Sequence, residues 1–328
     1  DATSFTVATD YDIEGEVIGY NVVKYICKKK DARRMKFSTL TTDELRESYD
    51  HAENTLNWGQ VNAGVTRHEL DWYYGINISR ALSLSIKRAG SFKILSSGRV
   101  QGPALKIIVD REKDIKAFKP EPFWQILAIW NQTKEQKIEV EAWHKDDKFT
   151  DKEKADKIMK IVAGEKKAIV KDIEKKQFKQ QPPFPFDLTT LQIESYRCHK
   201  IQPKETLDIA QNLYLSGVIS YPRTSSQQYP PSIGYKKILS SLAKNNIYKD
   251  KANKILSRSS IKPNDGKKTD PAHPAIYPTG NFSEFGGRDQ KVFDLIVKRF
   301  LATFGDSATR ESATITLDIK DEMFLSKG

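Results

Sequence analysis

Cysteine is nearly missing from this sequence: Cys27 and Cys198 are the only two in 328 residues, far apart and with no C-x-x-C pair. A disulfide framework and a zinc ribbon are therefore excluded, and a reducing, intracellular setting fits. No run of about 18 apolar residues occurs, and the opening Asp1 to Ser4 has neither the basic nor the apolar segment of a secretory leader. Membrane spanning and secretion are both disfavoured. Internal repeats and low-complexity tracts are absent as well. The first residue is not Met and the last lies just beyond a strand-like stretch, so a piece of a longer protein is expected.

Positive charge is in excess. Lys and Arg number 54 against 43 Asp and Glu, a formal net charge of +11, which favours a polyanionic partner such as nucleic acid. Hydrophobic residues make up 38% and aromatics 10%, polar for a globular protein but too aromatic for a disordered one. The length suits two or more domains.

Phe5 to Ala8 reads as a strand, Thr9 to Gly15 as an acidic turn, and Val17 to Ile26 as a helix closed by Lys28, Lys29 and Lys30. That lysine run suits a solvated helix end, with DNA contact as the other reading. Helical spacing dominates from Leu45 to Ile115, in one segment around Ala81 to Ile86 and another around Val100 to Val109. After Pro120-Glu121-Pro122 the period changes to two: Trp124, Ile126, Ala128 and Trp130 recur at every second position, as do Ile138, Val140 and Ala142. A helix over 151–163, a strand at Ala168-Ile169-Val170 and a proline-rich linker over 180–185 follow. Thr189 with Gln192 resembles a capping box opening a helix over 189–200, and a second helix over 204–215 ends at Gly217. The pair suggests a helix-turn-helix-like unit. Residues 257–271 read as loop, 290–304 as helix, and Ala313 to Ile319 as a strand with no partner left in the sequence.

Four constellations carry chemistry. Asp10, Asp12 and Glu14 stand at i, i+2 and i+4; if the strand persists through them, all three carboxylates leave one face and repel unless a cation lies between. Such hard oxygens suit Mg²⁺; a solvated turn is the alternative. An EF-hand fails because Asn21 stands where its final Glu belongs. Ser97-Gly98-Arg99-Val100-Gln101-Gly102-Pro103 places Arg and Gln beside glycines ahead of a helix, where they could approach a phosphate, or forms an ordinary Gly-Pro turn. Ile219-Ser220-Tyr221-Pro222-Arg223-Thr224 sets a phenol two residues from a guanidinium; a phenolate attacking phosphorus needs such a cation nearby. His273-Pro274-Ala275-Ile276-Tyr277-Pro278-Thr279 brackets one of five histidines with prolines, and a lone His is more often structural.

Taken in order, these four motifs resemble one family, the type IA DNA topoisomerases in their archaeal topoisomerase I/III-like form. Thr9 to Gly19 is similar to the acidic D-x-D-x-E-G-E motif of the TOPRIM domain, and Ser97 to Pro103 to S-x-G-R-V-Q-x-P. Ile219 to Thr224 is similar to the active-tyrosine motif I-x-Y-P-R-T, and His273 to Thr279 to H-x-A-I-x-P-T. The resemblance covers nearly the whole chain and implies an α/β multidomain clamp. Residues 1–45 would be the C-terminal part of TOPRIM, 46–120 an α-rich DNA-groove domain and 121–185 the first part of a β-rich arch; 186–305 would be the helical, helix-turn-helix-like domain with the active tyrosine, and 306–328 the start of the returning arch.

The resemblance further implies that Asp10, Asp12 and Glu14 hold Mg²⁺, that Tyr221 is the nucleophile, that Arg223 pairs with the scissile phosphate and that His273 hydrogen-bonds on the phosphate side. Arg67, Asp71, Arg80, Ser97, Arg99 and Gln101 match positions that line the DNA groove or support the site. The implied activity is cleavage of one strand through a 5′-phosphotyrosine, strand passage and religation, relaxing negatively supercoiled DNA without ATP. The implied partner is a single-stranded region of that DNA, and the setting a cytoplasmic, nucleoid-associated monomer away from membranes. Ile13 stands where many bacterial members have Arg, and Ser225 where many have Asp. The family's earlier TOPRIM strand, with its Glu and nearby Lys, has no counterpart here, nor have C-terminal zinc modules. An inert single-stranded-DNA-binding piece and the topoisomerase half of a reverse gyrase are the alternatives, although no G-x-x-x-x-G-K-[ST] loop is present. A TOPRIM primase or nuclease would lack I-x-Y-P-R-T.

Overall fold

The computed structural model describes residues 2–131 and 139–328, so the expected strand residue Ile138 lies outside the described residues. The chain is mixed helix and sheet and divides into two compact units, residues 1–105 with 181–306 and residues 106–180 with 307–328.

In the first unit, β1 (Thr6–Val7) pairs in parallel with β2 (Arg33–Arg34). Between them runs α1 (Ile13–Asn21), extended by a π-turn over Val22–Ile26. Asp12 caps α1, its Oδ1 accepting from the Gly15 amide at 2.7 Å, so one orphan helix donor is satisfied by the motif itself. Two glycines let α1 sit this close. A Cβ on Gly15 would lie 2.0 Å from the Asp10 carbonyl oxygen, and one on Gly64 would lie 2.2 Å from Val17. Gly64 belongs to α3 (Trp58–Arg88), 31 residues long and thus about 46 Å at 1.5 Å per residue; it follows α2 (Thr42–Asp50) and precedes α4 (Gln101–Ala117). Val7, Val23, Ala32, Leu56 and Val61 form a small core here.

The larger core of this unit belongs to α6 (Leu188–His199), α7 (Pro203–Leu215), α8 (Tyr235–Leu242), α9 (Lys249–Leu256) and α10 (Gly287–Thr303). Leu191, Leu213, Ile219, Leu239, Ile276, Val297 and Phe300 are among its buried members. The capping box of α6 is Asp187 with Thr190, two residues before the expected Thr189 and Gln192. Phe186 bridges to Ile276, which keeps the chain extended up to Asp187, and the Asp187 carboxylate then accepts from the Thr190 amide at 2.7 Å.

The second unit is an antiparallel sheet in the order β3-β4-β7-β6-β5, with α5 (Lys152–Val162) packed on it. Its strands are β3 (Leu127–Asn131), β4 (Glu139–His144), β5 (Ile169–Gln180), β6 (Ala308–Ile319) and β7 (Glu322–Lys327). The last strand was expected to lack a partner; it has two. β6 pairs along its length with β5, and turns through Lys320-Asp321 into β7. Both turn residues take positive φ, 55° and 69°, the I′ geometry that matches strand twist and is usually signalled by Asn-Gly. Without that signal, β7 does not announce itself in the sequence. Ile126, Ala142, Phe149, Ile158, Leu317 and Phe324 fill the core between sheet and helix. Among the described residues no helix is long and apolar enough to cross a membrane.

Candidate active site

Tyr221 reaches its place by a sharp stop and a short ladder. Gly217, at φ 70°, ends α7 in a left-handed turn whose amides return to Tyr214 and Leu213. The chain then runs extended beside the His273 motif: the Ser220 amide donates to the Tyr277 carbonyl (2.9 Å), the Thr279 amide to Val218 (3.0 Å), and the Tyr277 amide to Ser220 Oγ (3.0 Å). The Tyr221 amide leaves this ladder and donates to the Ser38 carbonyl at 2.7 Å. Two motifs more than fifty residues apart in sequence thus hold one another, and both face the acidic loop.

The Tyr221 side chain is 2% exposed. Its hydroxyl donates to Asp12 Oδ2, and its ring lies 4.5 Å from the His273 ring and 5.3 Å from the Tyr214 ring, centroid to centroid. Tyr214 donates to Asp10 Oδ1 at 2.9 Å. Two phenols therefore meet two carboxylates. Burial, followed by the hydrogen bond to Asp12 and the charges of Asp12 and Asp10, pushes the Tyr221 phenol far above its usual pKa, while Arg223 opposes that shift. The nucleophile candidate is a neutral phenol in this arrangement. Burial followed by the Asp10 charge does the same to Tyr214.

His273 is also buried. Its Nε2 lies 3.0 Å from the Tyr11 carbonyl and its Nδ1 3.0 Å from Ser38 Oγ. Burial lowers its pKa, against the opposing pull of the Tyr11 carbonyl and of Asp270, Asp12 and Asp10. The neutral imidazole must then carry its proton on Nε2 to serve the carbonyl and accept from Ser38 at Nδ1. Asp270 holds the backbone around it, Oδ1 accepting from the Ala272 and His273 amides and Oδ2 from the Ser225 amide and hydroxyl.

Beneath the acidic loop lies a fully buried ion pair, Arg34 Nε to Glu16 Oε2 at 2.6 Å. Arg34 also donates to the carbonyls of Thr9, Asp10 and Met35, each at 2.8 Å, and lies over the Tyr11 ring. Glu16 accepts in turn from the Asn57 amide, just before α3. Nothing in the local pattern marked Arg34, Tyr214, Ser38 or Asp270, whose partners lie elsewhere in the chain. Only the position of Tyr214, one helical turn before Gly217 and seven residues before Tyr221, could have drawn attention.

The strand ends at Val7, so the three carboxylates do not share a strand face: Asp10 lies in a turn, Asp12 at the helix cap and Glu14 in the first turn of α1. Glu14 points to α3, pairing with Arg67 (3.0 Å) and His68 (2.8 Å). Among the described residues no three Asp, Glu, His or Cys side chains are gathered for a metal ion. Asp10 keeps one carboxylate oxygen without a hydrogen bond and stands beside Asp12 under the two phenols, a donor pair of the kind Mg²⁺ uses.

The second motif is laid along α3. Asp71, Gly75, Ser79 and Ser83 repeat every four residues on one ridge. Against it Arg99 pairs with Asp71 (2.9 Å), the Ser97 amide donates to Ser79 Oγ (2.9 Å) and the Leu95 amide to Ser83 Oγ (3.0 Å). Arg80 and Gln101 are exposed and make no side-chain hydrogen bond among the described residues, as is Arg223.

A family model described as DNA topoisomerase matches residues 55–328, more than four fifths of the chain. The chain belongs to the type IA DNA topoisomerase family. It is 46% identical to DNA topoisomerase 1 of Pyrococcus horikoshii over 99% of this chain and 48% of that protein. It is 44% identical to DNA topoisomerase 1 of Methanocaldococcus jannaschii over 100% and 42%, and 33% identical to DNA topoisomerase 3 of Bacillus cereus over 100% and 45%. The full-length topoisomerase I structure from Thermotoga maritima superposes with a TM-score of 0.71 at 26% identity, over 97% of this chain and 52% of that one. The chain thus spans about half the length of the relatives it matches.

Proposed function

We propose that this chain carries the strand-cleaving chemistry of its type IA topoisomerase, with Tyr221 as nucleophile. The observation that carries the reading is the meeting of Tyr221 with Asp12, with the His273 ring tilted against the phenol. A phosphate placed there has an attacking oxygen, a proton acceptor and, in Arg223, an unpaired cation on the same loop.

Tyr221 Oη attacks a backbone phosphorus, its proton passing to Asp12 Oδ2, the atom that already accepts it. The P–O3′ bond breaks, leaving a 5′-phosphotyrosine and an O3′ that takes the proton back from Asp12 to become a free 3′-OH. Arg223 stabilises the charge that develops on the phosphoryl oxygens, and His273 offers Nε2–H to one of them once it gives up the Tyr11 carbonyl. Attack by the 3′-OH after strand passage reverses each step, so one phosphoester is exchanged for another and no ATP is consumed. Asp10 and Asp12 are the residues that fit Mg²⁺, and Glu14 could join them only by releasing Arg67 and His68. Mg²⁺, when bound, supplies positive charge to orient and neutralise the scissile phosphate.

Because Tyr221 is buried against Asp12, DNA gains access only when the tyrosine segment parts from the acidic loop. A single-stranded region of negatively supercoiled DNA is the proposed substrate, lying along α3, which carries Arg67, Asp71 and Arg80 and packs against Ser97 and Arg99, with Gln101 opening α4; Trp72 and Tyr73 are 65% and 64% exposed for base stacking. The finer division into TOPRIM segment, groove domain, arch and tyrosine domain, the monomeric state and the nucleoid setting belong to the same proposal.

The test is a denaturing-gel cleavage assay with Mg²⁺ and end-labelled single-stranded DNA. Tyr221→Phe is expected to abolish the covalent adduct while binding stays within about twofold, since only the nucleophilic oxygen is lost. An adduct that survives in Tyr221→Phe overturns the assignment.

A further inference from the structure

The positive charge of this chain is concentrated where the chemistry is not. Between Lys236 and Lys268 stand ten Lys or Arg and two Asp, a net charge of +8 in 33 residues. The other 295 residues share the remaining +3 of the chain's +11. The structure puts the centre of this segment on α8 and α9, which pack on each other and bury Ile238, Leu239, Leu242, Ala252 and Ile255 in the core. The outward side is left to lysine.

Lys236, Lys244, Lys249, Lys251 and Lys254 are all exposed and have no carboxylate partner among the described residues; Asp250 is the only acid on either helix. At the acidic loop and along α3, by contrast, several cations are paired: Arg67 with Glu14, Arg99 with Asp71 and Arg34 with Glu16. Five unpaired lysines within the 19 residues from Lys236 to Lys254 repel one another, a cost that a polyanion would relieve.

The surface also lacks what a single strand needs. Tyr248 is buried and Tyr235 packs on Phe304, so no aromatic ring is exposed here for a base to stack on, and Ile247 is the only large apolar side chain exposed on it. Lysines without stacking platforms or free arginines suit a regular phosphate backbone, read without regard to sequence. We propose that the α8–α9 face docks duplex DNA through its backbone, as a second DNA surface separate from the Tyr221 site. It deepens the proposed function, from which it takes DNA as the polyanion.

The test compares this chain with the fourfold variant Lys244→Gln, Lys249→Gln, Lys251→Gln, Lys254→Gln and with the matching fourfold Lys→Arg variant, all verified as folded by thermal melting. Binding of a short labelled duplex is followed by anisotropy across salt concentrations, and adduct formation on single-stranded DNA is measured separately. The Gln variant is expected to bind duplex about tenfold or more weaker at 0.1 M salt, with a log–log salt slope shallower by about 3 to 4. The Arg variant retains both, and single-strand adducts are unchanged in each. An unchanged duplex slope in the Gln variant overturns the proposal; so does polyglutamate competing as well as duplex, or loss of single-strand adducts in parallel with duplex binding. If the parent itself forms no adduct, the cleavage reading fails, and the duplex slopes still decide this one.

Discussion

Arg34 illustrates what one residue does for the whole site. Its guanidinium satisfies three carbonyls and Glu16 in a fully buried place, so removing it leaves a buried carboxylate without its counter-ion, a loss of about 3–5 kcal/mol. Arg34→Met is expected to lower the urea midpoint accordingly. Arg34→Met with Glu16→Leu should recover only part of it, because the carbonyls of Thr9, Asp10 and Met35 still lack a donor. Full recovery in the double variant would show that only the ion pair matters. Asp187 acts through a cap. Burial works against its ionisation, yet the Thr190 hydrogen bonds and Lys268 outweigh it and hold its pKa below the usual value. A carboxyl depressed on folding contributes stability above its unfolded pKa, near 3.9, and loses it as pH falls through the folded value. Asp187→Ala should therefore cost about 1 kcal/mol near neutrality, and the gap from the parent should close below about pH 4. A gap of constant size down to low pH would assign the effect to packing instead.

At the scale of elements, the meeting of α1 and α3 sets where Asp12 stands. Gly64 lies against Val17 and Ile13, so Gly64→Leu is expected to force the helices apart, destabilising by about 1–3 kcal/mol and reducing the adduct yield by displacing the Asp12 cap. Normal adduct formation in a destabilised Gly64→Leu variant would separate the helix crossing from the site. Elements with strong local signals were legible: α6, α7 and α10 fall within a few residues of the stretches their apolar periodicity marked, and Gly217 stops α7. The ribbon of β5 and β6 was not. Most of β5 is exposed and lysine-rich, and its partner lies some 130 residues away, so no local pattern links them. The three acidic residues were legible as a set, yet the early end of β1 sends Glu14 to Arg67 and His68, which only the fold reveals.

For the whole molecule, charge placement matters more than the net charge. If phosphate contacts dominate DNA binding, affinity should fall steeply and linearly on a log–log plot between low and high salt; affinity indifferent to salt would remove both DNA surfaces at once. Tyr221 should also resist tetranitromethane while exposed Tyr25 and Tyr73 react, because its hydroxyl is closed against Asp12. Equal nitration rates would mean that the closed arrangement is not the resting one. The sequence by itself determined the residues of the four motifs, the helical and β-rich stretches and the family, since short motifs and apolar periodicity are local properties. Tertiary structure decided which motifs meet, that Tyr214 shares the acidic loop with Tyr221, that Arg34 underlies it and that β6 finds two partners. Those outcomes depend on contacts between residues tens to hundreds of positions apart, where burial and hydrogen bonding select partners that no local pattern encodes.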